Sequence, residues 1–198
     1  MARTIIQADK CLRDESCWMS RRNLLSAPAN AVAGRWRGIV LRSLAPSALW
    51  SDTQRVALLR TAGIRVHLGT RIEARQTIVN NRIEIGARVY INKGCMFDPG
   101  DSVITVGDDV SIGPDVILAC TAHNIGPRSR RARGFTSAPI LIGAGTWIGA
   151  GAIILQGVTI EPGCVIGAGA VIRQDCHADG LYVGIPGRRV RTLDPNYS

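Results

Sequence analysis

The feature that most constrains this 198-residue chain is a six-residue recurrence of aliphatic side chains. From residue 142 onward, Ile142, Ile148, Ile154, Ile160, Ile166 and Ile172 follow one another at intervals of six without a break. Four residues after each stands a smaller side chain: Thr146, Ala152, Val158, Cys164, Ala170 and Cys176. The same phase reads upstream as Val79, Ile85, Ile91 and Phe97, shifts by three residues at the segment DPGDSVI, and resumes as Val106, Ile112 and Leu118. Leu118 and Ile142 are 24 residues apart, again a multiple of six. The segment between them therefore reads as a loop that leaves the repeat and returns in register.

A period of six fits neither an amphipathic helix, which needs 3.6, nor a long alternating strand, which needs 2.0. It fits short strands joined by tight bends, three hexads closing one triangular coil with the aliphatic and the small side chain both pointing inward. The expected fold class is an all-β solenoid whose stacked coils hydrogen-bond at a spacing of about 4.8 Å. Each buried aliphatic side chain contributes roughly 1.5–3 kcal/mol, and one coil cannot bury its own core, so the repeats must be many. Gly143, Gly149, Gly157, Gly163 and Gly167 are expected at bends that a Cβ would strain. Cys95, Cys164 and Cys176 fall on the small inward position, which favours buried, unreactive thiols.

Charge separates the rest of the chain from this repeat. The net charge is +9, and glycine, at 22 residues, is abundant without the strict triplet period of collagen. Residues 1–60 carry ten Arg or Lys against four acids, and 128–133 four against none, whereas 61–127 carry six against seven and 134–187 one against three. Basic charge thus lies in an N-terminal extension, one loop and the tail, a poor match to a nucleic-acid footprint spread over a folded face; anionic ligands remain open. The six cysteines form no CxxC pair and no spacing with histidine that suits zinc. The N-terminus has no continuous apolar signal segment and no apolar run approaches 18 residues, so the expected compartment is the cytoplasm, with thiols reduced.

The runs IGAGTWIGAGAIILQGVTIEPGCVIGAGAVIRQD and GIPGRRVRTL resemble the maltose and galactoside O-acetyltransferases and the colanic acid and capsule acetyltransferases of the hexapeptide-repeat superfamily. The likeness covers about residues 79–193. It implies a left-handed parallel β-helix over 63–183 with a protruding loop at 123–139 and a C-terminal arm over 184–198; residues 1–62, outside the likeness, read as a short, partly helical N-terminal extension. It also implies acetyl-CoA as cosubstrate with no metal required, a saccharide or small-molecule acceptor, and a homotrimer with active sites between subunits. The three histidines, His67, His123 and His177, are too widely spaced for the zinc triad of the carbonic anhydrases that share this helix.

By the same resemblance, His123 in ACTAHNIGP is the general base. Imidazole suits removal of an acceptor hydroxyl proton near neutral pH. Ala150 and Ala168 are expected to line the pantetheine path, with Arg173 and Gln174, which replace the usual Thr-Lys, at the next bend. Arg188 and Arg191 stand where the arm meets nucleotide phosphates, a role for which the guanidinium fork is suited. On the acceptor side the likeness points to Asn92 in YINKGC, where Gly94 replaces a second asparagine, to Asp98 or Asp101 in FDPGD, and to Phe135. Trp147 faces outward and walls the acyl site or packs on a neighbouring subunit. The function implied is acetyl-CoA-dependent O-acetyl transfer; a xenobiotic or antibiotic acetyltransferase and a non-catalytic scaffold are the alternatives.

Residues 1–60 read as two short helices, with Ser51 or Asp52 as N-cap of the second. They either cap the open end of the solenoid or bring a basic amphipathic segment to an anionic membrane as a peripheral contact. The loop RSRRAR steers CoA or an anionic acceptor, or is simply solvated.

Overall fold

The computed structural model describes residues 27–194, and the chain divides into two units, 1–35 and 36–198. Helix α1 (Ala27–Ile39) runs into a π-helical turn at Val40–Leu44, and helix α2 spans Asp52–Thr61. Ser51 is the N-cap of α2: its side chain accepts from the Gln54 backbone N–H while the Gln54 side chain accepts from the Ser51 N–H, a reciprocal capping box.

Beyond α2 the chain winds through five coils of three short strands each. They are β1 (Arg65–Val66), β2 (Arg71–Ile72) and β3 (Thr77–Ile78); β4 (Ile83–Ile85), β5 (Tyr90–Ile91) and β6 (Met96–Asp98); and β7 (Ile104–Val106), β8 (Ser111–Ile112) and β9 (Ile117–Ala119). A hairpin, β10 (Thr121–Ile125) and β11 (Ala132–Ser137), interrupts the winding. The winding continues as β12 (Ile140–Ile142), β13 (Trp147–Ile148) and β14 (Ile153–Leu155), then β15 (Thr159–Ile160), β16 (Val165–Ile166) and β17 (Val171–Ile172). The chain closes with β18 (Gly180–Val183) and an antiparallel β19 (Arg188–Thr192).

Each strand pairs in parallel with those one coil below and above. The first face is β1-β4-β7-β12-β15, the second β2-β5-β8-β13-β16-β18, the third β3-β6-β9-β14-β17. Successive strands therefore visit the three faces in rotation, which is the three-sided coil expected from the hexads. The hairpin leaves after β9 and the chain returns at β12 in register, with Ile142 beside Val106 and Ile154 beside Leu118. Inside stand both inward positions: Ile148, Ile154, Ile166, Cys95, Ala152, Cys164 and Ala170 have no exposed surface, and Thr146 joins them.

Two expectations need correction. Val79 does not belong to the inward ladder; it is 44% exposed, and Ile78 points inward instead, following Val66 and Ile72. The hexad phase is broken at 80–82 by one extra residue, where Asn80 accepts from the Arg82 N–H and turns the chain, so counting back from Ile85 lands on the wrong side of the strand. The glycines also divide by role. Gly143, Gly149 and Gly167 do not adopt positive φ; a Cβ on Gly149 would lie 2.6 Å from the Ala168 nitrogen of the next coil, so that position is kept bare by close stacking. The left-handed turn position is filled by residues such as Gly151 and Gly169, at φ 65° and 67°.

At the lower end α2 packs on β1 and β2, burying Val56 and Leu59. Arg55 fastens it: a guanidinium only 2% exposed donates from Nε to Ala45 O at 2.7 Å, from Nη1 to Ile72 O at 2.7 Å, and from Nη2 to Ser47 O and Trp50 O at 2.8 Å. Burial lowers its pKa, offset in part by Glu73 and Asp52. No described helix is long and apolar enough to cross a membrane.

Candidate active site

The edge where the third face turns into the first collects most of the residues that carry chemistry. In ascending coils it holds Asp98 at the end of β6, the start of the hairpin after β9, Gln156 after β14, and Arg173 with Gln174 after β17. Parallel pairing of β6, β9, β14 and β17 stacks these turns above one another.

His123 lies on β10, exposed to solvent. Its Nδ1 is 2.6 Å from the Gly134 carbonyl oxygen on β11. A carbonyl can only accept, so Nδ1 carries the proton and, in the neutral ring, Nε2 presents a lone pair outward. Phe135, 54% exposed, meets the imidazole edge-on with ring centroids 6.1 Å apart. One coil below, Asp98 Oδ2 accepts from the Thr121 hydroxyl at 2.7 Å and Oδ1 accepts from the Gly100 N–H at 3.2 Å. Gly100 fits tightly here, since a Cβ would lie 2.3 Å from Thr121 and 3.4 Å from the Phe135 ring. Asp98, His123 and Phe135 thus share one locale. Asp101 is exposed, and its backbone carbonyl accepts from Arg82. One coil above His123, the Gln156 side chain meets the Thr136 hydroxyl at 3.4 Å.

Cys120, immediately before this hairpin, is fully buried, and burial pushes its thiol up to about 12, with Asp98 adding in the same direction. It is a packing residue rather than a nucleophile at neutral pH.

Higher on the same edge, Arg188 Nη1 donates to Gln174 Oε1 at 3.0 Å, bringing two of the expected cofactor residues together. Arg173 and Arg191 are exposed nearby in sequence, and Arg191 pairs with Leu181 across the β18–β19 ribbon.

The remaining expected residues lie elsewhere on the prism. Ala150 and Ala168 stack on the edge between the second and third faces, where the Gly169 N–H donates to Ala150 O. Asn92 is on that same edge, three coils below Ala168, and its side chain is spent locally, accepting from the Lys93 N–H at 2.8 Å. Trp147, 57% exposed, opens β13 on the second face. One chain therefore presents two separate lines of candidate residues. Thr121, Gly134 and Gln156 were not singled out from the sequence; a threonine two residues before His123 was the available signal for the first, while Gly134 acts through its backbone and leaves none.

Among the described residues no group of three or more His, Cys, Asp or Glu side chains is placed to hold a metal ion.

A three-sided stack of hexapeptide coils, interrupted by a hairpin that presents a tautomer-fixed histidine, defines the class as a hexapeptide-repeat transferase. The comparisons agree. Residues 139–174 match the family model described as bacterial transferase hexapeptide (six repeats). The chain is 43% identical over 106 residues to nodulation protein L of Rhizobium meliloti, covering 54% of this chain and 57% of that protein. It is 35% identical over 114 residues to the galactoside O-acetyltransferase of Escherichia coli, covering 58% and 56%. A solved hexapeptide-repeat acetyltransferase of Vibrio cholerae, complexed with acetyl-CoA, superposes with a TM-score of 0.69 at 30% identity, over 85% of this chain and 91% of that one. The chain belongs to the hexapeptide-repeat acetyltransferase family. Its alignments span only a little over half the length of the curated proteins just named.

Proposed function

We propose that this protein transfers an acetyl group from acetyl-CoA directly to a hydroxyl of a saccharide or glycosylated small molecule, with His123 as general base. The observation that carries this reading is the 2.6 Å contact from His123 Nδ1 to Gly134 O, which leaves Nε2 free to accept a proton. In the proposed step Nε2 takes the hydroxyl proton as the acceptor oxygen attacks the thioester carbonyl. The C–S bond then breaks and the imidazolium returns the proton to the departing thiolate. Positioned proton transfer of this kind contributes typically 10²–10⁴-fold. Direct transfer, without an acyl-cysteine, is supported by the buried, protonated state of Cys120.

Acetyl-CoA as donor is supported by the Vibrio cholerae complex, and a saccharide acceptor by the galactoside relative. On this reading the stack winds left-handed, Arg188 with Gln174 and Arg191 meet the nucleotide phosphates, and Phe135 with Asp98 borders the acceptor. The separation of Ala150, Ala168, Asn92 and Trp147 from the His123 edge supports a homotrimer: when the edge of one chain abuts the neighbouring edge of the next, the two lines of residues face one another across a shared groove. The protein is proposed to act in the cytoplasm.

The test is release of free thiol from acetyl-CoA across a panel of saccharide acceptors. His123→Ala is expected to lower acceptor-dependent turnover by roughly 10²–10⁴-fold with oligomeric state and CoA binding unchanged. Turnover retained in that variant would move the chemistry to another residue.

A further inference from the structure

The hairpin that presents His123 continues outward into a turn that the reaction above does not use. Arg128, Arg130, Arg131 and Arg133 fall within residues 128–133, all exposed and with no acidic residue among them. Among the described residues none of the four pairs with a carboxylate; the Arg131 guanidinium donates to the Gly126 carbonyl at 3.2 Å, closing the turn. The Arg133 side chain lies over Gly126, where a Cβ would meet its aliphatic stem at 2.9 Å. Arg133 is also the residue next to Gly134, whose carbonyl orients His123, and pairs with Asn124, the residue next to His123. The basic tip is thus built on the same two strands as the general base.

The surroundings have the opposite sign. At the foot of the hairpin stand Asp98 and Asp101, and the coils on either side carry a slight excess of acid. An acceptor whose reacting end settles beside the Asp98 carboxylate and Phe135 is favoured when that end is an uncharged hydroxyl-bearing ring. Negative charge is favoured farther out, where Arg128, Arg130 and Arg131 are. Arg133 pairs with Asn124 beside the imidazole, while at a strand rise of about 3.4 Å per residue Arg128, Arg130 and Arg131 in the turn lie on the order of 10–17 Å from it. That is beyond a single sugar ring and within reach of a short chain. The CoA phosphates are a poor match for the tip, because the Arg188–Gln174 pair proposed to meet them lies two coils, about 10 Å, above the hairpin on the solenoid edge itself.

We infer that the hairpin tip is a specificity subsite for an anionic oligosaccharide acceptor, its carboxylate, sulfate or phosphate substituents held by Arg128, Arg130, Arg131 and Arg133 while a neutral ring offers its hydroxyl to His123. This inference rests on the acetyl-transfer reading for the hydroxyl, and on the hairpin alone for the charge. Guanidinium groups suit these substituents because they pair with carboxylate and phosphate oxygens in a fork. Exposed arginines act over roughly one Debye length, about 8–10 Å at ordinary ionic strength. The subsite therefore acts on acceptor affinity and capture, and weakens with added salt.

The test uses the full-length chain and its variant R128E/R130E, two positions whose guanidinium groups make no bond among the described residues. Binding of tetragalacturonate, a heparin-derived tetrasaccharide, neutral maltotetraose and tetrathymidylate is measured by calorimetry at low and high salt, beside thiol release from acetyl-CoA. The expected result is preference for the anionic saccharides over maltotetraose, reduced on the order of tenfold in R128E/R130E and by high salt, with the KM for acetyl-CoA unchanged. Maltotetraose binding as well as both anionic saccharides, tetrathymidylate binding as well as either, or an acetyl-CoA KM that rises instead, each overturns the inference. Anionic binding without thiol release on any acceptor removes the acetyl-transfer reading and leaves the subsite; thiol release confined to maltotetraose removes the subsite and leaves acetyl transfer.

Discussion

Arg55 offers the sharpest stability test of how the helical segment is fixed to the solenoid. Its guanidinium is buried and donates to four backbone carbonyls, those of Ala45, Ser47, Trp50 and Ile72, at 2.7–2.8 Å. A hydrogen bond to a charged group contributes about 1.5–3 kcal/mol, but four of them around one cation do not add, and the desolvation of that cation opposes them. Arg55→Met removes the charge and leaves four carbonyls short of a donor. The expected cost is about 3–5 kcal/mol, the range found when one partner of a buried charged network is removed. Arg55→Lys keeps the charge but offers three donors from one atom, which cannot span acceptors on the turn before α2 and on β2 together; about 1–3 kcal/mol is expected. Thermal unfolding followed by circular dichroism reads both, at roughly 2–4 °C per kcal/mol for a chain of this size. A lysine variant as stable as the parent, or a methionine variant within about 0.5 kcal/mol, would refute the idea that this fork clamps the cap.

The strand register makes a second test: Ile78→Ala is expected to cost about 2–5 kcal/mol and Val79→Ala within about 0.5 kcal/mol, measured by urea unfolding, and the reverse order would restore the inward assignment of Val79. The buried thiols make a third. Burial pushes Cys95 up to about 11 and Cys120 and Cys176 up to about 12, from an ordinary 9.0. A raised folded pKa stabilises the fold below the unfolded value and loses that contribution as pH climbs to the folded one, so stability should fall between about pH 9 and 11–12 and fall less steeply in a Cys95→Ala/Cys120→Ala/Cys176→Ala variant. A variant whose melting temperature falls just as steeply with pH would show that other groups set the alkaline slope. Iodoacetamide at pH 8 should label these thiols only on unfolding, and fast native labelling would contradict their burial.

The coil was legible because hexad spacing is local arithmetic: a side chain every six residues can share one interior only if the chain turns every six residues. The same arithmetic failed at 80–82, where one extra residue in the Asn80 turn shifts the phase, since insertion at a corner leaves no trace in the pattern on either side. His123 was legible from its residue type and its place in a known family pattern. Its orientation was not, because the group that sets it is the backbone carbonyl of Gly134, eleven residues on, and cross-strand pairing with a bulge is not written in residue identities. Asp98 and Asp101 could not be separated in the sequence for a similar reason. The Thr121 hydroxyl that engages Asp98 comes from the next coil. Asn92, chosen by likeness, spends its side-chain oxygen on its own turn, a role any Asn at a bend can take.

The most direct test of the central claim is a crystal structure of the assembled protein with CoA and an acceptor that is turned over. The account predicts an acceptor hydroxyl about 2.6–3.2 Å from His123 Nε2, with the CoA sulfur beside it in a groove lined by Ala150 and Ala168 of one chain and the His123 hairpin of its neighbour. A hydroxyl and sulfur that meet away from that imidazole, or His123 turned so that Nε2 faces Gly134, would contradict it.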